Sequence, residues 1–406
     1  MAGYGLLGEK LGHSWSVPIH RRLAGYEYRL YEKKPEEVED FLRSGEYQGL
    51  NVTIPYKKKA AVVCDELSPA AAMLGSVNTV LRRQDGTLYG DNTDLFGFGD
   101  LVRESGVDPS GKKTLVLGSG GASVTVCAVL RELGAPVTVI SRSGEDNYGN
   151  LSRHADARLL VNATPVGMYP NNGISPVDLT GFPHLEAVFD LIYNPARTSL
   201  MLQARNLGIP AYGGLRMLVA QAVRSCEIFT GREIDREEIR RIRDELSYEM
   251  ENIVLIGMPG SGKSTVAALL GKATGRPVLE ADREIEAVAG KAIPEIFRED
   301  GEDAFRALET RVLGDLGSRS GCVISTGGGC VTRQENEALL RQNGRVIWLE
   351  RDLRALDRRG RPLSLSRDLG DLYEERRPLY RRFADVRIDN NGPPEWAAAR
   401  ILEVLS

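Results

Sequence analysis

Two glycine-rich turns of different design occur in this chain. The first, LVLGSGGAS over residues 115–123, sets Gly118, Gly120, Gly121 and Ala122 between an apolar run and the helical stretch SVTVCAVLREL. Glycines at such a turn let a pyrophosphate approach a helix N-terminus, whose free N–H groups attract anions. The second, GMPGSGKST over 257–265, is a complete G-x-x-x-x-G-K-[ST]. Here Gly260, Ser261, Gly262 and Thr265 form a backbone cradle for the phosphates of ATP, Lys263 neutralises the β and γ oxygens, and the Ser264 hydroxyl is a ligand for Mg²⁺. About 20 residues beyond the first turn, an NAD enzyme carries Asp or Glu against the ribose 2′-hydroxyl. This chain has Ser141-Arg142-Ser143 there. A cation and two hydroxyls favour a 2′-phosphate, hence NADP(H). Glu145 and Asp146 come slightly late for the ribose, unless a bent loop returns one of them.

Both turns need a strand before them and a helix after them. LNVTIP, KTLVLG, PVTVIS, RLLVNAT and AVFDLIY read as strands alternating with helices, which predicts α/β architecture with a parallel sheet. The same alternation returns with ENIVLIG, GCVISTG and GRVIWLE, the last two bracketing the helical RQENEALLRQ. Between the halves, residues 231–252 are dense in charge of both signs and place Ile234, Ile239 and Ile242 near helical spacing, so a charged helix over 236–250 is the expected linker.

A length of 406 residues suits two to three domains. A net charge of −4 without a long basic cluster argues against nucleic acid and anionic membranes and for small-molecule substrates. No apolar run reaches the roughly 20 residues of a membrane span, and the N-terminus lacks a signal-peptide core, so the cytoplasm is expected. The five cysteines show no CxxC spacing and suggest neither disulfides nor zinc.

The motifs of the second half, GEDAFRALE (301–309), STGGGCV (325–331), RGRPL (359–363) and RRPLYRR (376–382), follow the phosphate turn in the order found in shikimate kinase, which residues 251–406 resemble. The resemblance implies that Asp282 holds and deprotonates the attacking hydroxyl of shikimate. Arg306 and Arg376 would grip the substrate carboxylate, the Gly327, Gly328 and Gly329 backbone would approach the ring, and Arg361 would close over the transferring phosphoryl from a short lid. Glu280, expected with Ser264 near the metal, departs from the family's Asp. Guanidinium forks suit a carboxylate, so the assignment is chemically coherent.

In the first half, GHSWSVPIH (12–20), NVTIPYK (51–57), GSVNTV (75–80), GDNTD (90–94), NATPVGM (162–168), DLIYNP (190–195) and GGLRMLVAQA (213–222) together resemble shikimate dehydrogenase. The family implies Ser14 and Ser16 on the substrate carboxylate, Thr53, Asn78 and Gln221 on ring hydroxyls, Tyr193 nearby, and Lys57 with Asp94 as the catalytic pair. Ala163, Thr164, Gly214 and Met217 would lie along the cofactor. Hydride transfer to the carbonyl of 3-dehydroshikimate leaves a developing alkoxide that needs a proton and a nearby cation, and Lys57 can supply both. His13 and His20 are read as structural. The implied organisation is a bilobed dehydrogenase over 1–235, with a substrate lobe (1–97 plus 215–235) and a Rossmann-like NADP lobe (98–214), followed by a P-loop NTPase-like kinase. Two rivals stand beside this reading: an NAD-dependent quinate/shikimate dehydrogenase joined to the same kinase, distinguished by Arg142, and a non-catalytic shikimate sensor.

Overall fold

A computed structural model describes residues 3–12, 14–356 and 369–405. One compact unit runs to Val166 and resumes over 176–193 and 203–245; the other takes 167–175, 194–202 and 246 onward. The changeover falls inside the charged helix, which spans Glu237–Met250. Within the second unit, Arg197 pairs with Glu251 at 2.9 Å and its backbone N–H donates to the Gln342 carbonyl at 2.8 Å.

The first unit holds two sheets. One comprises β1 (Gly3–Gly8), β2 (Tyr28–Glu32), β3 (Tyr47–Val52), β4 (Glu66–Leu67), β5 (Thr79–Arg82) and β6 (Leu88–Asp91), in the order β2-β1-β3-β5-β6-β4. It is mixed rather than purely parallel, which corrects the expectation for this part of the chain: β5 runs antiparallel to both β3 and β6. The cause is local. Residues 83–87 close a short turn, with Gly86 at φ +88° and Arg83 N–H donating to the Thr87 carbonyl at 2.9 Å, so β5 and β6 form a hairpin instead of a crossover.

The other sheet, β7 (Thr114–Leu117), β8 (Val137–Ile140), β9 (Leu159–Asn162), β10 (Ala187–Asp190) and β11 (Ala211–Gly213), is parallel in the order β11-β10-β9-β7-β8. The chain leaves β7 toward one neighbour and returns on the other side, so a crevice opens at the carboxyl ends of β7 and β9. The helices Asp94–Ser105 and Leu215–Thr230 pack closely, because Gly97 carries no β-carbon: one placed there would lie 2.8 Å from the Met217 carbonyl oxygen and 3.1 Å from Gln221 Cβ. The buried Arg216–Asp100 pair, 2.8 Å, fixes the same contact.

The second unit's sheet, β12 (Asn252–Ile256), β13 (Val278–Glu280), β14 (Val323–Ser325), β15 (Gly344–Glu350) and β16 (Val386–Asp389), is parallel in the order β13-β14-β12-β15-β16. β12 and β14 are buried throughout, which is why their sequences read as unbroken apolar runs. The phosphate turn follows β12, and the Gly327–Gly329 run follows its neighbour β14.

Candidate active sites

In the mixed-sheet lobe, the ends of β3 and β6 and the start of β5 converge. NVTIPYK carries the chain out of β3 into the helix Lys57–Val63, and GDNTD carries it out of β6 into Asp94–Ser105, so Lys57 and Asp94 open two helices side by side. Lys57 Nζ lies 2.6 Å from Asp94 Oδ2, and Asn78 Nδ2 donates to Asp94 Oδ1 at 2.9 Å. The pair is partly accessible, at 28% and 16% of the side chains. Of the neighbouring lysines, Lys58 is exposed and Lys59 caps the Pro35 carbonyl.

Below this pair lies a buried polar network that the sequence did not disclose. Asn78 Oδ1 accepts from Thr93 N–H at 2.8 Å and from the Thr79 hydroxyl at 3.0 Å. Ser225 Oγ accepts from Asn51 Nδ2 at 2.8 Å and bonds the Thr79 and Thr93 hydroxyls at 2.8 and 3.1 Å. The Gln221 amide oxygen accepts from Thr93 Oγ1 at 3.5 Å, so the network reaches both Asn78 and Gln221. Each buried polar group thereby finds a partner, and the Asn78 amide is left one orientation. Ser14 and Ser16 sit together at the head of the helix Ser16–Leu23, with Ser16 N–H donating to Ser14 Oγ at 3.2 Å. Thr53 follows β3, its methyl group against Gly8. Tyr193 follows β10, half-buried, with its phenol pKa raised by burial. Among the described residues no hydrogen bond joins Ser14, Ser16, Thr53 or Tyr193 to the Lys57–Asp94 pair. His20 is wholly buried, stacked on Tyr28 with ring centroids 4.0 Å apart, and burial lowers its pKa to about 3, which makes it a structural residue. His13 lies outside the described residues.

At the parallel-sheet crevice, Gly118 holds φ +102°, and a β-carbon on it would lie 2.9 Å from Thr164 Cγ2 and 3.3 Å from the Ala163 carbonyl oxygen. The turn and the Ala163–Thr164 segment are therefore in contact. Gly120 and Gly121, at the start of the helix Gly121–Glu132 that carries Ala122, face open space. This is a cradle into which a pyrophosphate fits. A β-carbon at Gly214 would run into the Leu191 carbonyl, and Met217 lies on the following helix. Arg142 is exposed just beyond β8, close enough to Tyr148 for its charge to oppose the burial that raises that phenol's pKa, and it makes no ion pair among the described residues.

In the second unit a cavity of about 520 Å³ is lined by Gly260, Gly262, Lys263, Ser264 and Thr265 on one side and by Glu280, Asp282, Arg306, Gly327–Gly329 and Arg376 on the other. Ser261 is buried behind the turn, its carbonyl bound by Asn390 Nδ2 at 2.6 Å. Lys263 is folded back, donating to the Gly257 and Met258 carbonyls at 2.9 and 3.1 Å. Arg306 Nη1 pairs with Glu309 Oε2 at 2.7 Å, and Arg376 Nη1 donates to the Gly328 carbonyl at 3.1 Å. A β-carbon at Gly327 would lie 2.9 Å from both an Asp282 and a Glu309 carboxylate oxygen; one at Gly328 would lie 2.5 Å from Pro259 Cδ. The three glycines thus let the backbone pass between these side chains. Glu280 ends β13, with its carboxylate 3.7 Å from Arg283.

Arg361 and its lid lie outside the described residues. Sequence reasoning missed Glu309, 1% exposed, whose carboxyl burial pushes upward in pKa against the pull of Arg306. Its signal was present: an Arg and a Glu three apart on a helix share one face. Tyr380, whose hydroxyl donates to the Gly328 carbonyl, was missed as well.

Family models match this chain to the shikimate dehydrogenase substrate binding domain over residues 6–80, to the shikimate 5′-dehydrogenase C-terminal domain over 214–242 and to shikimate kinase over 259–406. A shikimate dehydrogenase (NADP(+)) from Clostridium perfringens (strain SM101 / Type A) is 34% identical over 265 residues, covering 60% of this chain and 97% of the relative. Among solved structures, shikimate dehydrogenase 1 from Peptoclostridium difficile is 37% identical with a TM-score of 0.57, covering 61% of this chain and 99% of its own. A chorismate mutase/shikimate 5-dehydrogenase fusion protein from Clostridium acetobutylicum is 36% identical with a TM-score of 0.58, covering 60% and 97%. With the paired lysine and aspartate at one sheet end, the glycine cradle at the other and a phosphate turn facing two buried arginines, the chain belongs to the shikimate dehydrogenase family and carries a shikimate kinase domain behind it.

Proposed function

We propose that this protein reduces 3-dehydroshikimate to shikimate with NADPH and then phosphorylates shikimate with ATP to shikimate 3-phosphate. The dehydrogenase occupies residues 1–235 and the kinase 251–406, joined through the charged helix. One observation carries each step. For the reduction it is the Lys57–Asp94 pair, 2.6 Å apart, held from below by Asn78. NADPH supplies the hydride when bound; Lys57 gives the proton that the developing alkoxide needs, and Asp94 orients the ammonium. Asn78, Thr53 and Gln221 fix the ring hydroxyls, Ser14 and Ser16 take the carboxylate, and Tyr193 closes the site. Arg142, exposed at the strand end, binds the 2′-phosphate, and Gly118, Gly120, Gly121, Ala163, Thr164, Gly214 and Met217 bound the cofactor groove. The NAD-dependent quinate alternative is not favoured, because the curated relatives are NADP(+) enzymes.

For the phosphorylation the carrying observation is one cavity that brings Lys263 and Ser264 to face Asp282, Arg306 and Arg376. Asp282 accepts the proton of the attacking hydroxyl, the two arginines hold the carboxylate, and Lys263 leaves its carbonyl partners for the phosphate oxygens. Ser264 and Glu280, both lining this cavity, are oxygen donors of the kind Mg²⁺ takes, and the ion would neutralise phosphate charge there. Among the described residues no helix is long and apolar enough to cross a membrane. The five unpaired cysteines suit a reducing compartment, the cytoplasm.

Assaying the purified chain for both reactions tests the proposal. Lys57→Ala should lower hydride transfer by at least about a thousandfold and leave the kinase within about twofold. Loss of both activities in a folded variant would overturn the separation of roles.

A further inference from the structure

The loop after β8 is bent, and it returns one of its two acids, Asp146, toward the strand end. Ser141 N–H donates to the Asp146 carbonyl at 3.1 Å, so the chain doubles back within five residues and sets Asp146 beside the strand end that carries Arg142. Gly144 permits this closure: a β-carbon there would lie 2.6 Å from Ser141 Oγ and 3.2 Å from the Asp146 carbonyl oxygen. Side chains then tie the loop down. Asn150 Nδ2 donates to the Glu145 carbonyl at 2.9 Å, and Asn147 N–H donates to Asn150 Oδ1 at 2.9 Å. The Asp146 carboxylate faces the following turn, Leu151–His154, where His154 Nε2 donates to its Oδ1 at 2.8 Å. The His154 side chain is only 10% exposed and that of Asp146 34%, so a buried ring holds an acid at the rim of the loop. Glu145, the other acid of the loop, is exposed and makes no side-chain hydrogen bond or ion pair among the described residues.

An acid at the end of the second strand is the group that accepts a hydrogen bond from the ribose 2′-hydroxyl of NAD and repels the 2′-phosphate of NADP. We infer that His154 acts as a specificity residue for the dinucleotide: by holding the Asp146 carboxylate it keeps that charge from the ribose and leaves Arg142 unopposed to receive the 2′-phosphate. Specificity then has two parts, an attractive cation and a restrained anion, in the way that discrimination combines favourable contacts with repulsion of the competitor. The inference rests on the Arg142 reading given above.

The experiment is isothermal titration of NADP⁺ and of NAD⁺ into the full chain. His154→Phe should lower the Kd ratio favouring NADP⁺ by about tenfold, through weaker NADP⁺ binding and stronger NAD⁺ binding together. Adding Asp146→Asn in that background should return the ratio toward wild type, because the charge that had been released is gone. An unchanged ratio in folded His154→Phe overturns the inference, as does a changed ratio that Asp146→Asn fails to reverse, since that would mark simple loosening of the loop. Glu145→Gln should leave the ratio unchanged; if it alone restores the ratio in His154→Phe, the acting acid is Glu145 and the inference fails. Arg142→Ala separates the two readings: if it weakens both cofactors equally, the 2′-phosphate assignment itself is lost, whereas selective loss of NADP⁺ with an inert His154→Phe removes only the role of His154.

Discussion

The two phosphate turns solve one problem by opposite means. In the kinase turn Gly257, Gly260 and Gly262 all take positive φ, +147°, +83° and +89°. A β-carbon at Gly257 would lie 2.5 Å from the Leu349 carbonyl oxygen, and one at Gly262 would lie 2.7 Å from Asn390 Nδ2. Lys263 is already tied to two carbonyls of the turn. In the dinucleotide turn only Gly118 has positive φ and close neighbours, while Gly120 has φ −82° and nothing within 4 Å. The kinase glycines are demanded by the protein's own fold, whereas nothing in the fold demands Gly120 or Gly121, which fits the proposed approach of a pyrophosphate. One turn is shaped before its phosphate arrives; the other is mostly room left for it.

Between the two turns, the larger expected effect follows from the strained one. Gly262→Ala must place a β-carbon at φ +89° against Asn390, and kinase kcat/KM should fall by at least about a hundredfold, on the order of 3 kcal/mol, with the dehydrogenase unchanged. Kinase activity within about threefold of wild type would mean that the turn is not preformed.

The acids facing that turn divide in the same way. Asp282 lies against the Gly327 backbone and in the proposed reaction meets the attacking hydroxyl directly, so Asp282→Asn should cost at least about a hundredfold in kcat. Glu280 stands at the strand end, and Mg²⁺ tends to keep several waters that absorb one methylene; Glu280→Asp should stay within about tenfold. Steady-state assays at saturating Mg²⁺ check both, and a dead Glu280→Asp would place that carboxylate in direct contact with the reacting groups.

Acid should separate the halves by stability. All four histidines lie in the first half, and His20 is the wholly buried one. The unfolded chain protonates it below about 6.5, the folded chain only below about 3, so between these values unfolding takes up a proton and the native state weakens as pH falls. The slope is about 1.4 kcal/mol per pH unit, or about 2 kcal/mol by pH 5. Calorimetry at pH 7 and pH 5 should show the dehydrogenase transition moving down, with the shift reduced in His20→Gln; equal shifts in the two proteins would remove His20 as the cause.

The smallest effect tests the open turn. Gly120→Ala should leave stability within about 0.5 kcal/mol of wild type, because its β-carbon meets nothing, and should weaken NADPH binding about tenfold by occupying the approach of the pyrophosphate. Thermal melts with and without NADPH read both quantities. A destabilised apo protein would show that this turn, too, is demanded by the fold.

What the sequence disclosed follows the same division. Both turns, their strands and their helices were legible because strand, glycines and helix are contiguous in the chain. The β5–β6 hairpin escapes periodicity because its strands are only four residues long. For Glu309 the spacing from Arg306 gives a shared helix face, but only burial beside Arg306 and Asp282 sets it apart from the other helix glutamates. The retreat of Asp146 depends on His154 eight residues on, a distance at which neither periodicity nor spacing speaks.

The Ser225 network has a consequence for how the chain is made. Ser225 meets Asn51 across 174 residues, Thr79 across 146 and Thr93 across 132. At the roughly 5–20 residues per second of a ribosome, the hydroxyls that orient Asn78 wait on the order of ten seconds or more for their partner. Until then the mixed sheet holds a polar pocket with no lid, while the parallel sheet over 114–213 is synthesised whole in the interval. The mixed-sheet lobe, whose strands precede those of the parallel sheet, is thus the later of the two to be completed, and Lys57, made early, gains its fixed surroundings only when the helix Leu215–Thr230 has emerged.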